Sequence, residues 1–457
     1  TQIRITKEGK PHLGAALGSS SYITEFVKAK VKNWSLELEQ LAIIANTQPH
    51  AAFSAFTHGV ASRWVYVART IPNIDYLLQP LEELLRTKFI PSLTGRAAPS
   101  DLERELLALP ARLGGLGLLN PSHLCTTEYS ASMKVTQPLI DHIIKQDEKY
   151  GYEILQDQLS TKAEVHKSKR EQYSNTASTL KNILPPSLAH AMDLSQEKGA
   201  STWLSVLPLE EYGFALHKGA FRDALALRYG WSPANAPLNC ACGTHFTVEH
   251  VLSCPKGGYP SIRHNEIRDL TASLLSEVCH NVSTEPHLQP LTGEVMSGLS
   301  ANTQDGARLD IAADGFWGSR FERAFFDVKV FNPYAPSNQK TPLSACYHSH
   351  ENEKKRKYDQ RIREIEHASF TPLILSCSGG LGPQATTSYK RLASLLSAKW
   401  NQPYSLTIMW LRCRLAYSLL RSSVMCIRGA RSHIGHYISN TQPPLDLVSR
   451  EALLPAQ

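Results

Sequence analysis

The chain has 457 residues, 42% hydrophobic and 19% charged, enough apolar material for two or three folded cores and too much for wholesale disorder. Forty-eight Lys and Arg against 41 Asp and Glu leave a net charge of +7, a balance compatible with a polyanionic partner. No run of about 18 apolar residues occurs, which argues against a membrane-spanning helix, and nine cysteines in a chain this long do not form the framework of a small secreted domain. They fit a reducing, intracellular setting and metal ligation better.

The opening stretch TQIRITKEGKPHLGAALG has the character of neither a signal nor a transit peptide. Without an initial methionine, it reads as an internal cut from a larger parent. Over residues 1–150 apolar positions recur at helical spacing in TEFVKAKVKNWSLELEQLAIIA, in SRWVYVARTI, and in YLLQPLEELLRTKFI, the last bounded by Pro72 and Pro91. The glycines of ARLGGLGLLNP predict a turn. QDQLSTKAEVHKSKREQYSNTASTLKN is polar, and reads as a linker or, preferably, as a solvated helix with a frayed end. Pro185–Pro186 marks a boundary, and LHKGAFRDALALRYGW predicts a helix ending at Gly230. Beyond Cys240 the pattern changes to helix (RHNEIRDLTASLLSEVC), three strands (NVSTEPHLQPLTGE, RLDIAADGF, FFDVKVF), a basic helix (HENEKKRKYDQRIREIEHA), a fourth strand (TPLILSCS) and two closing helices. This is an α/β order. There are no internal repeats.

CACGTHFTVEHVLSC concentrates Cys240, Cys242, His250 and Cys254 in fifteen residues. Zinc takes four soft or borderline ligands in a tetrahedron, and short ligand pairs flanking a turn supply them. Gly243 allows that turn. Such a site replaces an apolar core too small to fold alone. His245 is a spare ligand.

Asp310 and Asp327 are separated by sixteen residues, and Lys329 follows the second by two. Alternation along FFDVKVF puts Asp327 and Lys329 on one strand face. With DGFWGS as the turn of a hairpin, the two aspartates can meet. Mg²⁺ or Mn²⁺ is held by hard oxygen ligands, often one or two carboxylates. A lysine beside it can orient or deprotonate water or steady charge on a phosphate. The pattern therefore predicts cleavage of a nucleic-acid backbone. Glu266 and Glu285 are further candidate ligands. Lys354 and Lys357 share a face of the basic helix, beside Tyr358, and either lysine can reach a scissile phosphate or, with Lys355 and Arg356, grip backbone phosphates.

These motifs in order resemble the C-terminal part of non-LTR retrotransposon proteins: the Cys/His knuckle, Arg263-His264-Asn265, the R-x-D strand, the D-x-K strand and the K-x-x-K-Y helix. Those proteins carry a restriction-like endonuclease of the PD-(D/E)XK superfamily. The resemblance implies that Asp310 and Asp327 bind the catalytic metal, and that Lys329 matches the general superfamily lysine. It matches Lys354 and Lys357 to the helix lysines of the retroelement branch, and Arg263 and His264 to the family's RHN motif. Arg263, His264, Lys355, Arg356 and Tyr358 are expected at the nucleic-acid-binding surface. Leu309 stands where the family has proline, and the knuckle spacings are each about one residue shorter. Upstream, GKPHLGAALGS, SRWVYVARTIPNI and LPARLGGLGLLNP resemble the end of a reverse transcriptase palm and its thumb. There is no YxDD, so this chain alone should not polymerise.

The expected organisation is multidomain, α+β with an α/β part: a thumb-like helical region (1–150), a helical connector (151–235), a zinc knuckle (236–260), a restriction-like endonuclease domain (261–435) and a tail (436–457). The expected function is Mg²⁺- or Mn²⁺-dependent nicking of target DNA in the nucleus to prime reverse transcription, with Zn²⁺ in the knuckle. DNA, element RNA and the rest of the parent reverse transcriptase are the expected partners, with no membrane. The alternative is an inactive nucleic-acid-binding remnant of a transposon protein.

Overall fold

The computed structural model describes residues 6–146, 152–289 and 307–428. Helices dominate, with one small sheet and one hairpin, and the chain divides into two compact units. The first comprises residues up to 189 together with 217–222; the second comprises 190–216 and the chain from 223 onward. The dividing line thus falls inside the segment expected to be a connector. Among the described residues no helix is long and apolar enough to cross a membrane.

The first unit opens with a hairpin, β1 (Gly9–His12) and β2 (Ala15–Gly18). Helix α1 (Ser20–Ala45) buries Val27, Val31, Trp34, Leu38 and Leu41, one stripe at three- and four-residue spacing. The helix expected to stop at Pro91 instead runs on to Thr94. A wide π-type turn over Leu85–Phe89 precedes the proline, which falls in the first turn of the next helical segment, where a missing N–H costs little. Gly95, at φ 73°, ends it. Helices α2 (Pro121–Lys145) and α3 (Tyr152–Ile183) follow, so the polar segment is a helix and not a linker.

The second unit carries the short helix α4 (Val248–Val251) and helix α5 (Tyr259–Ser276). Its sheet has strands β3 (His280–Thr284), β4 (Ile311–Asp314), β5 (Arg323–Phe331) and β6 (Ser369–Ser376), in that spatial order. The first three form an antiparallel meander; β6 runs parallel to β5 and is reached through helix α6 (Leu343–Glu364). Helices α7 (Pro383–Trp400) and α8 (Tyr404–Arg428) close the unit. The strand expected over 281–294 is shorter: pairing ends at Thr284 apart from one bridge, His287 to Arg308, and 290–294 lie outside the described residues.

β5 fixes the layout. Phe325, Asp327, Lys329 and Phe331 alternate onto one face. Phe325 clusters with Tyr358 and Ile362 near the end of α6, and Phe331 with Cys346 and Tyr347 near its start. From Cys346 to Tyr358 a helix rises about 18 Å, and from Phe331 to Phe325 a strand covers about 20 Å. The two lengths match, so the middle of α6 lies over Asp327 and Lys329. Phe325 is 2% exposed. Replacing it with Ala should cost about 3–5 kcal/mol, read as a lower midpoint in chemical denaturation followed by circular dichroism.

Candidate functional site

Asp310 immediately precedes β4, whose first residue, Ile311, pairs with Phe326. Continuing that register by one residue sets Asp310 opposite Asp327, and opposite residues of an antiparallel pair share a face. Oδ2 of Asp310 accepts the Val328 N–H at 2.6 Å. His264 on α5 brings Nε2 to 3.1 Å from the same oxygen and 3.0 Å from the Val328 carbonyl oxygen. Its Nδ1 lies 3.2 Å from Asn265 Oδ1. Both ring nitrogens thus face acceptors, the arrangement that suits an imidazolium. The bond to Asp310 raises the His264 pKa, with burial opposing it.

Asp327 is 4% exposed. Burial pushes its carboxyl above the ordinary range; Lys354 opposes the shift and the Asp310 charge adds to it. Lys354 Nζ lies 2.7 Å from Asp327 Oδ2 as an ion pair. Apart from this ammonium the buried oxygen has no hydrogen-bond partner among the described residues. Burial pulls Lys354 down, but the Asp327 charge prevails and holds the ammonium above its ordinary value.

Lys329 shares the Asp327 face but points to a different partner, donating to Glu353 Oε2 at 2.7 Å. His350 Nδ1 is 3.4 Å from the same oxygen. The Lys329 bond holds Glu353 below the usual carboxylate range. Neither Glu353 nor His350 was anticipated. Glu353 lies in a run dominated by lysines, and its only sequence signal is that it adjoins Lys354 as Lys329 nearly adjoins Asp327.

The other candidates are placed differently. Glu266 has its carboxyl raised by burial and by Asp269, with Arg421 opposing, so its charged neighbours are not the aspartate pair. Glu285 is paired to Arg268 and Arg308, although its N–H bonds the Asp310 carbonyl at 2.9 Å. Arg263, expected at a nucleic-acid surface, is 3% exposed and donates to the Leu252 carbonyl at 3.1 Å. It falls on the α5 face that also buries Ile267 and Leu274. Tyr358, expected at the same surface, packs in the core against Phe370. Lys357 is exposed, with its ammonium 5.0 Å from the Tyr358 ring centre. Lys355 and Arg356 line an open surface depression with Ser349 and Asn352.

The knuckle residues do converge. Ligand atoms of Cys240, Cys242, His250 and Cys254 lie within 4.8 Å of one another, so the cluster can hold a metal ion such as zinc. Gly243, at φ 90°, turns the chain between the two ends of a small loop closed by the Cys240 N–H on the Thr244 carbonyl. Thr247 caps α4 through the His250 N–H at 3.1 Å. His245 is exposed and outside the cluster. Asn332, just past β5, donates its amide to the Glu249 carbonyl and to Ser253 Oγ, both at 2.8 Å, and ties the knuckle to the sheet.

No family model matches the chain, and no curated protein matches it.

Two outcomes are expected. The Thr244 hydroxyl and N–H stabilise the Cys242 thiolate, lowering its pKa to about 6, while burial pushes Cys377 up to about 12. Metal-free protein should therefore alkylate Cys242 half-maximally near pH 6 and leave Cys377 intact, and one metal per chain, measured by elemental analysis, should protect Cys242. His264 should titrate above its ordinary 6.5. A raised folded-state value means that the His264–Asp310 contact stabilises the fold below about pH 6.5 and loses that contribution as pH rises through the folded value. Imidazole NMR resonances should show the raised midpoint, and Asp310→Asn should lower it.

Proposed function

We propose that the chain is a divalent-metal-dependent DNA endonuclease module derived from a retroelement, nicking target DNA to provide a primer end. The observation that carries this reading is the buried Asp327 carboxylate, set by strand register opposite Asp310 and facing the Lys354 ammonium. Two hard carboxylates on one face suit Mg²⁺ or Mn²⁺, and such an ion would share the Asp327 oxygen that Lys354 now faces. Asp310 and Asp327 would hold it; when bound, the ion supplies Lewis acidity and an acidified water.

The chain's own groups have separable tasks. His264 and the Val328 N–H fix the Asp310 carboxylate by hydrogen bonding. Lys354, already at Asp327, is the lysine placed to orient a water or to steady charge on the phosphate. Lys355 and Arg356 offer sequence-independent contacts to backbone phosphates. Zinc in the knuckle is structural, since four protein ligands leave no open position. In this reading the chain supplies the nicking step, with DNA, element RNA and the rest of the parent reverse transcriptase as partners in the nucleus.

A second reading is nucleic-acid binding without cleavage. It is favoured by the two ion pairs, Lys354 to Asp327 and Lys329 to Glu353, which already compensate the charge of the acids.

Relaxation of supercoiled plasmid in Mg²⁺ or Mn²⁺ decides between them. Asp327→Ala should abolish nicking while DNA retention at low salt persists, and Lys354→Ala should lower the rate about a hundredfold or more, a larger loss than Lys329→Ala. Salt-sensitive DNA binding with no nicking by the wild-type chain in either metal would establish the second reading.

A further inference from the structure

We propose that Glu353 is a positioning residue that determines which of two lysines serves Asp327. The inference rests on the reading of Asp327 as a metal-binding acid of a nuclease. Asp327 and Lys329 lie on one strand face, two residues and about 7 Å apart. A lysine stem spans that distance, so Lys329 is itself a competitor for the Asp327 carboxylate. Directly over them α6 presents Glu353 and Lys354, consecutive residues of opposite charge. The contacts form two parallel rungs, Lys329 to Glu353 at 2.7 Å and Asp327 to Lys354 at 2.7 Å. His350, with Nδ1 3.4 Å from the Glu353 oxygen, holds the upper rung from one turn earlier.

The rungs differ in environment. Asp327 and Lys354 have side chains 6% and 19% exposed, whereas Lys329 and Glu353 are at 27% and 54%. The outer rung is the replaceable one, because an exposed pair contributes little on its own. Its effect is selective: it holds the Lys329 ammonium away from the acids and gives the inner position to Lys354. One acidic side chain on α6 thereby chooses between a lysine on the strand and a lysine on the helix.

Competitive acylation of lysines in the full chain, mapped by mass spectrometry without nucleic acid, tests this. Glu353→Gln should release Lys329 to compete for Asp327, raising acylation of Lys354 about two- to fivefold, the scale of an exposed ion pair. Glu353→Asp should restore protection of Lys354, and Asp327→Asn sets the fully released level. Acylation of Lys354 unchanged in Glu353→Gln, with only Lys329 more reactive, would overturn the proposal and leave Glu353 as an ordinary surface partner. In plasmid nicking, the double variant Lys354→Ala/Glu353→Gln should recover activity lost in Lys354→Ala, because the freed Lys329 takes the vacant place. A wild-type chain that does not nick refutes the nuclease reading and leaves the acylation result to decide the exchange.

Discussion

The packing of α6 across β5 is the constraint on which the site depends. A helix turn advances slowly and a strand quickly, so only one alignment brings apolar groups together at both ends of the contact. Phe331 against Tyr347 and Phe325 against Tyr358 supply those ends. The middle is then forced to hold whatever the two segments carry there, which is two charges on each. Left unpaired, the inner two, buried Asp327 and half-buried Lys354, would be costly. Their pairing in complementary order lets the apolar ends close, and the apolar ends in turn hold the charges within contact distance.

Burial explains the chemistry of the inner pair. In water a carboxylate and an ammonium interact weakly, but in a poorly solvated setting the same separation matters several times more. Asp327 is pushed toward its neutral form by burial and by the nearby Asp310 charge, and Lys354 opposes that shift. His264 hydrogen-bonds Asp310 from another helix, so each acid has its own basic partner and the two are supported from different elements.

Much of this was legible in the sequence, for identifiable reasons. Alternation along FFDVKVF placed Asp327 and Lys329 on one face because strand periodicity is strict. The spacing of Asp310 and Asp327 fitted a hairpin because the intervening residues include a turn, and the cysteine cluster stood out because four ligands fall within a short loop. What could not be read was the azimuth of the helices. In the K-rich run of α6 charges occur on all sides, so nothing local shows that Lys354 faces inward, that Tyr358 enters the core, or that Glu353 binds Lys329. Arg263 was likewise read as a surface residue, although it lies on the same α5 stripe as Ile267. A long polar stem can line an interior face when carbonyls wait at its end, and the Leu252 carbonyl does so here.

Asn332 has a consequence beyond its two hydrogen bonds. It is the first residue after β5, and one amide nitrogen grips both ends of the α4 turn in the knuckle. The thiol cluster and the strand bearing Asp327 are therefore fastened at a single point, five residues from the acid. A rearrangement of the cysteine loop that displaces Glu249 and Ser253 would strip both bonds from the residue that follows β5.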